Sequence, residues 1–98
     1  MEYTIVNGSN ENLHLICHPI PYIPNPKKPI KDYDIFAFDF CKVGIPEEDT
    51  FFRIMGADSF IEFEVLKVDS KIHVTHASFI SYKITSAGNK IQIEVIPH

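Results

Sequence analysis

The sequence predicts an all-β fold, a small and mostly antiparallel sandwich or partly open barrel of six to seven strands with room for one short helical turn. Three observations predict it. Residues 59–98 hold apolar runs that alternate with period two and are parted by small polar turns, the pattern of strands with one buried and one wet face. Residues 35–41 alternate phenylalanine with smaller groups, and the chain as a whole carries eight Phe and four Tyr, no Trp, and many Ile and Val, a composition that favours sheet.

Taken in order, residues 3–6 form a short strand with Tyr3 and Ile5 on one face. The polar residues 7–12 suit a hairpin connection, and Asn7-Gly8-Ser9 reads as a turn. A second strand spans residues 13–18, with Leu13, Leu15 and Cys17 opposite His14, Ile16 and His18. Apolar groups on both faces suggest a place away from the outer edge.

Residues 19–34 read as an ordered Pro-rich loop. Proline at 19, 21, 24, 26 and 29 removes backbone donors and holds the preceding residues extended, which forbids both a helix and a central strand. Such a segment either closes one end of the core with its Ile and Tyr side chains or serves as a binding loop ordered in advance, with Tyr22 as a contact.

Residues 35–41 give the strongest strand signal, with Phe36, Phe38 and Phe40 sharing one face and Ile35, Ala37, Asp39 and Cys41 the other. The three phenylalanines are expected to supply much of the core, each worth ~2 to 3 kcal/mol on full burial. Pro46 followed by acidic residues makes a good first helical turn over 46–49. The β-branched and aromatic content of 50–55 favours a strand there over a continued helix.

In the final stretch Ile61, Phe63 and Val65 alternate with Glu62, Glu64 and Leu66. A turn at Asp69-Ser70, or a looser one over 67–71, leads to Ile72 and Val74 opposite His73 and Thr75. Ile80, Tyr82 and Ile84 keep that phase, with a bend expected near Ala77-Ser78 because an unbroken strand would be long. Ser86 to Asn89 supplies the next turn, and residues 90–96 close the expected meander.

Ninety-eight residues fit one domain, 1–98, burying roughly 60 to 70% of its unfolded surface. Thirteen acidic against nine basic residues, a formal charge of -4, argue against nucleic acid or an anionic membrane as the partner. Lys27, Lys28 and Lys31 sit beside Asp32 and Asp34 and read as a solvated loop. The first residues have neither a basic segment nor an apolar run of leader length, and no run reaches transmembrane length, so a cytoplasmic chain is expected with Cys17 and Cys41 as buried free thiols.

No motif identifies a reaction or a cofactor. His14 and His18 share a strand face but stand roughly 13 Å apart, too far to chelate one ion. The serines lack a nucleophile elbow, neither cysteine lies in a basic surround, and no glycine-rich phosphate loop is present. Neither a metal nor another cofactor is therefore expected.

The polar face of the final sheet carries the functional expectation. Glu62, Glu64, His73, Thr75, Ser81, Lys83, Gln92 and Glu94 would form one mixed, net acidic surface, with Tyr22 available from the Pro-rich loop and Asp39 from the mixed face of the strand at 35–41. Its residues suit recognition of a protein with a basic surface, as in an acidic inhibitor or immunity-type protein that sequesters a basic enzyme such as a nuclease. Two rival readings stand beside it. One is a small hydrolytic enzyme using His73 or His76 with acidic residues, the other a structural subunit that forms a homodimer through a strand edge.

Overall fold

The computed structural model describes residues 2–20, 31–44, 48–69, 71–87 and 90–97. These form nine strands: β1 (Glu2–Asn7), β2 (Leu13–Pro19), β3 (Lys31–Ile35), β4 (Phe40–Gly44), β5 (Thr50–Met55), β6 (Phe60–Val65), β7 (Ile72–Ser78), β8 (Ile80–Ala87) and β9 (Lys90–Pro97). They make two open sheets, a four-stranded one in the order β4-β1-β9-β8 and a five-stranded one in the order β3-β2-β5-β6-β7. The architecture is thus all-β and two-layered, and it does not close into a barrel. It has more strands than the six or seven expected, because 31–35 and 40–44 are separate strands where the sequence suggested a loop and one run. Every pairing is antiparallel except β1 with β9. Among the described residues there is no helix. The helical turn expected at 46–49 falls partly on Pro46 and Glu47, which lie outside the described residues, as do Tyr22 and most of the Pro-rich stretch.

Period-two patterning builds the five-stranded sheet directly. Along β2, β5 and β6 burial alternates residue by residue, so Leu13, Leu15, Cys17, Phe52, Ile54, Ile61, Phe63 and Val65 face inward. The four-stranded sheet answers with Tyr3, Ile5, Val43, Ile93 and Val95. Phe52 stacks on its cross-strand partner Phe63 with ring centroids 4.9 Å apart, and Tyr3 of the other sheet meets Phe52 edge-on at 6.2 Å, joining the layers.

Three further expectations are overturned. Phe36, Phe38 and Phe40 do not form the core; they are 59%, 74% and 55% exposed. The run 35–41 is not one strand. The chain leaves the five-stranded sheet at Ile35, reverses through a turn closed by the Asp39 N–H donating to the Phe36 carbonyl at 3.0 Å, and enters the other sheet at Phe40. Phe38 occupies the turn with a φ of 58°, a left-handed conformation that L side chains resist. The expected meander over 59–98 is likewise divided, since β6 and β7 belong to one sheet and β8 and β9 to the other. Phe79, with a φ of 52°, makes that crossing.

Asn7 holds the corner where β1 and β2 meet the turn between β3 and β4. Its side chain is fully buried, its amide donates to the carbonyls of Glu11, Ile35 and Phe36 at 2.7, 3.1 and 3.2 Å, and its Oδ1 accepts from the Ser9 N–H and hydroxyl at 3.0 and 2.6 Å. Its backbone N–H donates to the Asp39 carbonyl at 2.8 Å. A nearby close approach fixes Gly56, where a Cβ would meet Ser59 Oγ at 2.8 Å and the Glu11 carboxylate nearer still.

Cys17 and Cys41 are free thiols at the edge of the core. Burial pushes both thiols up, Cys41 to about 11 with a smaller contribution from Cys17, while Lys31 partly offsets the effect at Cys17. Burial, assisted by Asp69, pushes the Tyr3 hydroxyl up to about 12. An acid held protonated in the fold costs nothing below the pKa of the unfolded chain, here 9.0 for the thiol, and stability is then lost as pH rises through the folded value. Thermal melting should therefore fall progressively from about pH 9 to 12. The double variant Tyr3→Phe with Cys41→Ala should show a flatter decline; an identical slope would refute the assignment.

Candidate functional site

The outward residues of the five-stranded sheet make a grid set by strand register. Asp34, His14, Met55 and Phe60 form one row across β3, β2, β5 and β6. Asp32, Ile16, Arg53, Glu62 and His76 form the next, and His18, Phe51, Glu64 and His73 the third. His73 and His76 are three apart and a regular strand would set them on opposite faces. A register shift at Glu62/Phe63 lets both pair with outward glutamates, His73 with Glu64 and His76 with Glu62.

Stacked rings and an arginine order the middle of this face. His18 stacks on Phe51 at 4.9 Å, Phe60 stacks on His76 at 5.0 Å, and the Arg53 guanidinium lies over Phe60, 4.8 Å from its centroid. Arg53 Nε stands 3.6 Å from Glu62 Oε1, beyond hydrogen-bond distance, and has no hydrogen-bond partner among the described residues. The periphery is acidic and polar. His14 Nδ1 meets Asp34 at 2.8 Å on one side, and His73 Nε2 meets Asp69 at 2.9 Å on the other. The Lys71 backbone N–H, foremost, and His73 hold the Asp69 carboxyl below its usual range.

Among the described residues of these three rows, the carboxylates Asp32, Asp34, Glu62 and Glu64 outnumber the one arginine, Arg53, so the rows carry an excess of acidic groups. No protein-family model matches the chain, and no match was found among curated proteins or solved structures. What this face does is therefore read from its own chemistry.

Of the expected contact residues, Glu62, Glu64 and His73 come together here. Glu94 does not join them: it pairs with Lys83 on the outside of the other sheet, beside Gly8. The single polar surface expected from 59–98 is therefore two surfaces, because its strands are shared between the layers. Asp39 is exposed in the β3–β4 turn, where its Oδ1 accepts from the Phe40 N–H at 2.8 Å and its carbonyl from Asn7. Tyr22 lies outside the described residues.

The sequence reading missed His14, His18, Phe51, Arg53 and Phe60. Their signal was present, since each holds the polar phase of an alternating strand, but nothing local shows that β2 and β5 lie beside β6. Among the described residues no three His, Cys, Asp or Glu side chains converge as metal ligands would.

Proposed function

We propose that the chain is a protein-interaction module whose five-stranded sheet captures a protein with a basic surface, in the manner of an inhibitor or immunity-type protein that holds a basic enzyme. The observation that carries this reading is the stacked cluster Arg53, Phe60 and His76, which spans two adjacent rows and is set among Asp32, Asp34, Glu62 and Glu64. Arginine and aromatic groups dominate binding energy at protein interfaces, and side chains already stacked lose less freedom on docking. The surrounding carboxylates supply steering toward a cationic partner and register on it. The hydrolytic reading has less support: the His73–Asp69 pair is exposed, at the end of an edge strand.

The test compares capture from source-cell extract by the wild-type chain and by the double variant Glu62→Lys, Glu64→Lys, followed by affinity measurement with the purified partner. Arg53 and Glu62 are half-buried and stand 3.6 Å apart without a hydrogen bond, so losing their attraction should cost only about 1 kcal/mol and the variant should still fold cooperatively. A basic partner whose affinity falls at least about tenfold is the expected result. Equal affinity for both forms would overturn the proposal.

A further inference from the structure

We propose that β8 is a self-association edge, and that a second copy of this chain pairs with it antiparallel to give a continuous eight-stranded sheet. The two sheets expose four edge strands, and three carry features that discourage pairing. β3 places Lys31, Asp32 and Asp34 within five residues. β7 is distorted by the register shift opposite Glu62/Phe63. β4 ends in Gly44, which weakens a strand. β8 has none of these features: it runs eight residues in unbroken register with β9, contains no proline, and carries Lys83 as its one charge.

The side chains on β8 show the same lack of cover. Tyr82 and Ile84 pair with Val95 and Ile93, which are buried, so they stand on the core side of the sheet. Yet Tyr82 is 43% and Ile84 39% exposed, because the sandwich is open along this side. Among the described residues no strand pairs with the outer edge of β8, and an apolar strip next to such an edge is the arrangement that strand addition covers.

A second copy fits this strip through the strand's own sequence. An antiparallel two-fold axis through Tyr82 sets Tyr82 against Tyr82 and Ile80 against Ile84 of the second copy, all on the core side. It sets Lys83 against Ser81 rather than against another lysine, while Glu94 remains across from Lys83 on β9. The contact is isologous and closes at two copies. It uses a different sheet from the proposed partner face, so neither reading depends on the other.

The experiment is sedimentation of the full chain up to about 100 μM, with two variants. Wild type should sediment as a dimer of the 11.2 kDa chain. Ile84→Lys, which places a charge in the strip, should remain folded by thermal melting and weaken the dimer at least about tenfold. Tyr82→Cys should form a disulfide-linked dimer under mild oxidation, since the axis sets that position against itself. The charge-reversed Glu62→Lys, Glu64→Lys chain should dimerise as wild type does. A wild-type monomer at the highest concentration, a dimer indifferent to Ile84→Lys, or a Tyr82→Cys chain that does not cross-link would overturn the proposal. So would a monomer that takes up a foreign strand at β8.

Discussion

Replacing Asn7 with alanine is expected to destabilise the fold by about 3 kcal/mol or more, as much as many core truncations. The side chain is fully buried and supplies five hydrogen bonds, three donated and two accepted. Alanine would leave the carbonyls of Glu11, Ile35 and Phe36 without that donor and the Ser9 N–H without its acceptor. The damage reaches beyond one residue, because these bonds join the β1–β2 connection to the place where the chain crosses from the five-stranded to the four-stranded sheet. Asn7→Asp sharpens the test: it keeps the acceptor for Ser9 but turns a carboxylate oxygen toward backbone carbonyls, and should be at least as damaging at neutral pH. Urea denaturation measures both. A loss below about 1 kcal/mol for Asn7→Ala would show that solvent replaces the network easily.

Asn7 also marks where reading the chain locally ends. Residues 7–9 look like any polar turn, and the partners that make Asn7 structural lie 28 and 29 residues away. By contrast β2 and β6 were legible almost residue by residue, since each has one face in the core and one outside, and period two reports that directly, whereas β5 was favoured as a strand only by its β-branched and aromatic content. The same rule failed at 35–41, where alternation continues through a turn: it records which residues are apolar and not whether the backbone remains extended. Nor does periodicity report neighbours. The parallel pairing of β1 with β9 joins residues far apart in sequence, and the assignment of β8 and β9 to a second sheet depends on the crossing at Phe79. The candidate face was half legible for this reason. Glu62, Glu64 and His73 lie on one hairpin, whereas His14, His18 and Arg53 join them only through the order of strands.

Phe52→Ala should cost about 3 to 5 kcal/mol, while Phe38→Ala should change stability by less than about 0.5 kcal/mol. Phe52 is 1% exposed, stacks nearly parallel on Phe63 and meets Tyr3 across the two sheets, so its loss opens a cavity where the layers join. Phe38 is 74% exposed at a left-handed backbone position. Phe38→Gly goes further in the same direction: glycine takes positive φ without steric cost, and relief of strain should offset its greater freedom in the unfolded chain, leaving stability unchanged or raised by up to about 1 kcal/mol. Paired denaturation curves for the three variants decide between two cores. If Phe36, Phe38 and Phe40 formed the core, the order would be reversed and Phe38→Gly would be the most damaging of the three. The geometry requires the opposite order, because the bulk of a phenylalanine contributes to folding only where the backbone brings it between the sheets.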